Sequence, residues 1–147
     1  MTTPHQADLR VRFYELDAYG HVNHAIYVHY FETARIELLD SIGFGLDRLA
    51  DDDTQLVVIA LASRFLRAAR LGDQLTIETA QLQTSRVRST WAQRILRGDE
   101  TVVTQHVQFA TTNSAGKPRR MPPKLTEALA QYQADADWLG ADAPVAL

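Results

Sequence analysis

The sequence predicts an α+β fold in which one antiparallel sheet wraps around one long helix. Two patterns predict it: apolar residues recur with helical spacing from Tyr27 to Ile42, and strand-like segments fill the chain from Gln55 to Thr112. A short alternating segment precedes the helix. The order strand, helix, four strands lets one sheet bury the apolar stripe of one helix.

The first strand is predicted over Asp8 to Leu16, because Leu9, Val11 and Phe13 share one face. A turn follows, and then a helix of about five turns, given its rise per residue. Its apolar stripe is formed by Tyr27, Tyr30, Phe31, Ala34, Leu38 and Ile42.

Both ends of this helix carry a sequence signal. Asn23 is a natural N-cap, since its side-chain oxygen can accept a hydrogen bond from an unpaired backbone N–H. Gly43 is a typical helix stop. A brief helical turn is expected in the acidic connection from Gly45 to Thr54.

Four strand segments and a terminal helix are predicted after this connection. The segments are Gln55 to Ala68, Gln74 to Thr84, Arg86 to Arg97 and Thr101 to Thr112, and the last three follow as a meander. A proline-containing loop leads into a short helix over Leu125 to Trp138, and the tail beyond it is expected to be frayed. Residues 1–147 are predicted to form one domain, with 119–147 as a terminal loop and short helix.

Composition narrows the function classes. The 147 residues carry a net charge of -3, so the chain lacks the overall excess of basic residues that is typical of a nucleic-acid-binding protein. No cysteine is present, so disulfides, thiolate metal sites and a cysteine nucleophile are excluded. No apolar run reaches the length of a membrane helix, and no signal peptide is recognisable at Met1 to Arg12, so we expect a soluble cytoplasmic protein.

The turn from Asp17 to Asn23 holds the densest chemistry. A helix start offers unpaired N–H groups and a partial positive charge, which stabilise a developing anion. Asp17 precedes this start, and Gly20 allows close backbone approach. The combination suits hydrolysis of an activated acyl group, by direct attack of Asp17 or by activation of a water. The competing interpretation of Asp17 is a simple turn or capping residue.

The neighbouring polar residues have competing roles. His21 could orient Asp17, bind substrate or stabilise the turn. The spacing of His21, His24 and His29 does not give a metal-binding face, so no metal site is expected. Glu32 lies about 13 Å along the helix from Asn23, too far to serve the helix start. We expect it to pair with a nearby arginine, or to face a partner subunit's site.

One motif in this region is specific. The run Asp17-Ala18-Tyr19-Gly20-His21-Val22-Asn23-His24-Ala25-Ile26-Tyr27, followed by Phe31-Glu32-Thr33-Ala34-Arg35, resembles the hotdog-fold thioesterases of the 4-hydroxybenzoyl-CoA thioesterase type. It is most similar to their acyl-CoA and acyl-ACP thioesterase branches. The resemblance implies a hotdog fold: a long central helix wrapped by a curved antiparallel sheet of about five strands.

The resemblance also implies a reaction and an assembly. Asp17 would be the catalytic carboxylate, as nucleophile or general base, and the backbone N–H groups of Gly20 and His21 would polarise the thioester carbonyl. The substrate would be an acyl-CoA or acyl-ACP, and no cofactor is expected. Active sites in the family lie at the interface of a homodimer, which can pair further into a homotetramer.

Four further residues are candidate substrate contacts. Asn23 lies at the helix start, and Tyr27 is expected to form part of the floor of an acyl pocket. Arg64 and Arg67 are candidates for binding the phosphates of CoA, although solvated charges on a strand edge are the competing interpretation.

Two other functions stay open. A non-catalytic hotdog module could bind acyl thioesters without hydrolysing them. A hotdog hydratase or dehydratase would need a histidine and an acid poised over the acyl chain, and His21 with Asp17 could supply them.

Overall fold

The computed structural model describes residues 3–145 as a five-stranded antiparallel sheet packed against a long helix. The strands are β1 (His5–Arg10), β2 (Gln55–Phe65), β3 (Gln74–Thr84), β4 (Arg88–Arg97) and β5 (Glu100–Thr112), and the helices are α1 (His24–Ser41), α2 (Leu46–Asp51) and α3 (Pro123–Leu129). The strand order is β1-β3-β4-β5-β2. The predicted α+β fold is confirmed.

Helix α1 begins and ends where its sequence signals predict. The Asn23 side-chain oxygen accepts a hydrogen bond from the Ala25 N–H at 2.9 Å, and Gly43 leaves the helix with a φ of 82°. The helix has 18 residues. None of the helices within residues 3–145 has both the length and the apolar character needed to cross a lipid bilayer.

The sheet buries α1 along most of its length. The first half of the helix places Tyr27 and Phe31 against β-strand side chains such as Ile77 and Ile95. The second half packs Leu38 against Trp91, together with residues of α2 and α3. The buried stripe therefore matches the predicted apolar spacing.

The first strand is shorter than predicted. It ends at Arg10, because the Arg12 N–H donates to the Glu15 carboxylate at 2.7 Å and draws the chain into a short 3-10 turn over Phe13–Glu15. Phe13, predicted on the buried face, is 75% exposed. The prediction of a strand reaching Leu16 is wrong for this reason.

The C-terminal segment also departs from the prediction. Helix α3 ends at Leu129, and the chain then turns so that the Ala134 N–H donates to the backbone oxygen of Gln81 at 2.8 Å. The tail expected to be frayed is packed up to residue 144: Leu139 is buried, and the Thr104 hydroxyl donates to the backbone oxygen of Asp142 at 2.6 Å. Residues 146 and 147 lie outside the described residues. The assignment of residues 1–147 to one domain stays a prediction.

Strand β2 lies at one edge of the sheet. It pairs with β5 on one side and with no other strand of residues 3–145 on the other. Its exposed apolar side chains are Val57, Val58, Ile59, Leu61 and Phe65. A long apolar edge of this kind is a template for pairing with another strand.

Candidate active site

The turn that begins at Asp17 is closed by its own backbone. The Asp17 N–H donates to the His21 oxygen at 2.7 Å, and the Gly20 N–H donates to the Asp17 oxygen at 3.1 Å. Gly20 has a φ of 75°, a conformation that glycine adopts at little cost. The Asp17 carboxylate is thus carried on a tight, internally bonded turn.

This turn is fixed to the fold at both ends. The Val22 N–H donates to the Ala69 oxygen, and the Asn23 N–H donates to the backbone oxygen of Glu15, each at 2.9 Å. The buried Glu15 carboxylate accepts a hydrogen bond of 2.7 Å from the Tyr30 hydroxyl. Burial, together with the neighbouring Glu15 carboxylate, raises the pKa of Tyr30, so this hydroxyl remains a donor.

The two oxygens of Asp17 differ in their surroundings. Oδ1 accepts hydrogen bonds from the N–H groups of Tyr19, at 2.8 Å, and His21, at 3.2 Å. Oδ2 accepts none from residues 3–145. The turn therefore orients the half-buried carboxylate through one oxygen and leaves the other available for chemistry.

A cavity of about 340 Å³ opens beside this carboxylate, between the start of α1 and the end of β2. Four of the predicted site residues line it together: Asp17, His21, Tyr27 and Arg67. Val22, Phe65, Leu66 and Ala68 supply apolar walls. The cavity thus joins one carboxylate and one cation to an apolar surface.

The predicted oxyanion donors are already engaged. The Gly20 N–H is bonded to the Asp17 backbone, and the His21 N–H is bonded to the Asp17 carboxylate, so neither is free to bind a carbonyl. The N–H of His24, the first residue of α1, makes no hydrogen bond within residues 3–145, and His24 lines the cavity. Since the Asn23 cap takes up the Ala25 N–H, His24 keeps the unpaired donor.

Sequence reasoning missed the His24 N–H, although the cap was a usable signal. An N-cap side chain bonds to the second or third helical N–H and leaves the first one free. Naming Asn23 as the cap therefore already pointed to His24 as the position with a free donor.

Tyr27 and Asn23 have structural roles in this region. The Tyr27 hydroxyl accepts the Ala69 N–H at 2.9 Å, and its ring lies 5.9 Å from that of Phe65. Burial raises the pKa of Tyr27. Asn23 caps the helix and is not among the residues that line the cavity.

The two arginines predicted to contact CoA lie in different places. Arg67 lines the cavity, donates to the Thr101 oxygen at 2.6 Å and pairs with Glu100 at 3.3 Å. Arg64 lies away from the cavity and donates to the Ala141 oxygen at 2.6 Å. Only Arg67 is brought to the Asp17 cavity.

The ion pair expected for Glu32 does not form. Its exposed carboxylate makes no ion pair within 4.0 Å in the part of the chain from residue 3 to residue 145, so that prediction is wrong there. The cause is the direction taken by Arg35, which turns into the protein interior and bonds to Gln93.

Comparisons with known proteins agree with this fold and motif. The acyl-CoA thioester hydrolase YbgC of Escherichia coli O6:H1 is 29% identical over 126 residues, which cover 84% of this chain and 94% of that protein. The solved structure of a probable thioesterase from Bartonella henselae superposes with a TM-score of 0.78 at 35% identity, and the match covers 82% of this chain and all of that one.

A plant relative is matched over a shorter stretch. The acyl-acyl carrier protein thioesterase ATL3 of Arabidopsis thaliana is 38% identical over 88 residues, which are 60% of this chain and 46% of that protein. The chain thus spans under half the length of this relative. The family model of the thioesterase-like superfamily matches residues 11–129. The resemblance predicted from the motif is confirmed: this chain belongs to the thioesterase-like superfamily.

Proposed function

We propose that this protein hydrolyses acyl-CoA or acyl-ACP thioesters to the free acid and the thiol, with Asp17 as the catalytic carboxylate. One observation carries the proposal: Asp17 and His24 line the same cavity, and among the described residues the Asp17 Oδ2 and the His24 N–H have no hydrogen-bond partner. Membership of a thioesterase family, and relatives named for acyl-CoA and acyl-ACP hydrolysis, support it.

In the proposed chemistry, the His24 N–H and the Asp17 carboxylate act on the same thioester carbonyl. The His24 N–H, at the positive end of α1, binds the thioester oxygen and stabilises the charge that develops on it. Asp17 Oδ2 then attacks the carbonyl carbon, or removes a proton from a water that attacks it. Either route breaks the carbon–sulfur bond and releases the thiol. In the first route, water hydrolyses the acyl-aspartate anhydride in a second step.

Arg67 is the residue best placed to bind the CoA or ACP that carries the acyl group. It lies at the cavity wall, and its guanidinium can bond to a phosphate oxygen. Arg64 is held by the C-terminal segment, so we assign it no contact with this cavity. His21 remains a proposed contact for the substrate next to Asp17.

We further propose a homodimer formed through β2. A two-fold axis pairs two copies of one edge strand antiparallel, which joins the two sheets and covers the exposed apolar residues of that edge. The pairing also places the cavity beside β2 at the subunit interface.

Replacing Leu61 with lysine tests the dimer. Leu61 is 41% exposed on β2, and two lysines brought together at a two-fold interface repel each other. We expect the variant to sediment as a monomer and to lose most of its thiol release. Leu71→Lys is the control, because it changes an apolar residue that is 60% exposed on the turn before β3 and away from β2. This variant should sediment like the wild type and keep its thiol release. A dimeric Leu61→Lys protein would contradict the proposed interface.

The activity is tested by a thiol-release screen over aromatic, short, medium and long acyl-CoA and acyl-ACP substrates. Release of free CoA or carrier thiol together with free acid is the expected result. Binding without release across the whole panel would support a non-catalytic module, and hydrated acyl-CoA without free thiol would support a hydratase. Either outcome would overturn the proposed hydrolysis.

A further inference from the structure

A second cavity lies at the other end of α1. It measures about 310 Å³, within the range of small-molecule sites, and lies between α1, α2 and the start of β2. Its walls are mainly apolar and include Leu39, Leu49 and Phe109. Three buried polar residues also line it: Arg35, Trp91 and Thr54, whose hydroxyl donates to the Asp52 backbone oxygen at 3.2 Å.

Arg35 is a buried cation without a counter-ion. Arg35 is only 7% exposed. Its Nη1 donates to the side-chain oxygens of Gln93, at 2.9 Å, and Gln105, at 3.4 Å. Both acceptors are neutral amides. No carboxylate within residues 3–145 lies within ion-pair distance of Arg35.

Arg35 nevertheless remains charged at neutral pH. Burial lowers its pKa to about 10, and the charge of Glu32 opposes that shift. The guanidinium lies over the Phe109 ring, 5.4 Å from its centroid, which offsets only part of the lost hydration. A buried charge of this kind is costly unless something pairs with it.

Trp91 adds a second unsatisfied donor. It is 1% exposed, and its indole N–H has no acceptor among the described residues. Glu32 lies at the exposed rim of the cavity and forms no ion pair with Arg35. The two buried groups of the cavity that lack a matching partner, the Arg35 guanidinium and the Trp91 N–H, are therefore both donors, and most of the other lining residues are apolar. The matching ligand is apolar and ends in a negatively charged acceptor.

We propose that this cavity binds the far end of an acyl chain that terminates in a carboxylate, with Arg35 pairing with that carboxylate. The inference rests on the proposed function, because the other end of the chain would be the thioester cleaved at Asp17. The substrate class is thus the CoA or ACP thioester of a dicarboxylic acid.

The proposed dimer brings together the two cavities that bind the two ends of such a substrate. If the two-fold axis passes through Ala60, the middle residue of β2, antiparallel pairing sets Gln55 of one protomer near Phe65 of the partner subunit. Gln55 lines the Arg35 cavity, and Phe65 lines the Asp17 cavity. Each complete site therefore takes Asp17 from one protomer and Arg35 from the other.

The test compares matched pairs of thioesters. Adipoyl-, suberoyl- and sebacoyl-CoA are assayed against hexanoyl-, octanoyl- and decanoyl-CoA, and kcat/KM is measured by thiol release. We expect the dicarboxylic member of at least one pair to be preferred by about tenfold or more, the value of one charge-assisted hydrogen bond. Arg35→Met should abolish that preference by lowering kcat/KM for the diacid, while the monoacid of the same length is hydrolysed at least as well.

Two further variants separate recognition from folding. Trp91→Phe removes the indole N–H and keeps an aromatic ring, so it should lower the diacid preference about two- to tenfold. Arg94→Met is the matched control, since Arg94 lies on the same strand as Trp91 but pairs with Glu78 at 2.6 Å; it should keep the preference. If Arg35→Met fails to fold, the wild-type preference and the Trp91→Phe result still decide the matter.

The possible failures are distinguishable. Hydrolysis of the monoacids with no diacid preference at any length, or an unchanged preference in Trp91→Phe together with Arg35→Met, would overturn the inference and leave the proposed function standing. If no thioester is hydrolysed, the proposed function fails. Calorimetric Kd values of the same six CoA esters then test Arg35 alone, and equal values within each pair would overturn its role.

Discussion

An Asp17→Asn protein is expected to fold normally and to lose thiol release by about 10²- to 10⁴-fold in kcat, the range of a lost acid–base or nucleophilic group. The fold is expected to survive because the asparagine side-chain oxygen can still accept the hydrogen bonds from Tyr19 and His21. Only the charge and the reactivity of Oδ2 are removed. The measurement is steady-state thiol release on the preferred acyl-CoA, together with the melting temperature.

A carboxylate elsewhere on α1 supplies the control for this change. Glu37 is exposed and lies more than three turns along the helix from its start, so Glu37→Gln should leave kcat and KM near their wild-type values. An Asp17→Asn protein that is folded and as fast as Glu37→Gln would exclude Asp17 as the catalytic carboxylate.

Changing His24 to proline removes one backbone N–H from the helix start, together with the imidazole ring. Proline is well suited to the first helical position, because the N–H there has no partner within the helix. Asn23, which would precede it, already has a φ of -58° and a ψ of 137°, an extended conformation that a following proline permits. We expect kcat to fall about 10²- to 10³-fold, the usual effect of losing one oxyanion donor, with little loss of stability.

His24→Ala separates the backbone from the imidazole ring. It keeps the N–H and removes the side chain, so its kcat should stay within a few-fold of the wild type. This corresponds to a change of about 1 kcal/mol or less in the activation free energy. Equal kcat values for His24→Pro and His24→Ala would mean that the thioester carbonyl is polarised somewhere other than at this N–H.

Local signals carried most of the successful fold predictions. Asn23 and Gly43 mark the ends of α1 because capping is decided within a few residues. The β3-β4-β5 meander follows from alternation and tight turns, such as the one at Gly98. The end of β1 could not be read in this way, since it depends on a side-chain bond between Arg12 and Glu15 that period-2 alternation does not report.

The candidate site was predictable in part for the same reason. The motif located Asp17 and the helix start, but it did not show that the N–H groups of Gly20 and His21 point back at Asp17. Arg64 and Arg67 are close in sequence, yet only the second reaches the cavity, because the first is captured by the C-terminal segment. That contact joins residues 77 positions apart, which no local pattern contains.

The role of Arg35 was hidden by distance along the chain. Within α1 it looks like an ordinary partner for Glu32. Its actual acceptors, Gln93 and Gln105, are 58 and 70 residues away on neighbouring strands. Only the assembled sheet shows that this cation is buried and faces a cavity.

The fixed turn around Asp17 lowers the amount of ordering that substrate binding requires. Glu15 binds both the N–H of Asn23 and the hydroxyl of Tyr30, so the loop that carries the carboxylate is tied to the same helix that carries the free His24 N–H. Little backbone has to become ordered when a thioester arrives, and the entropic cost of binding is correspondingly low. Carboxylate and donor hold their spacing as long as the first turns of α1 remain folded, so heat inactivation is expected to coincide with global unfolding rather than precede it.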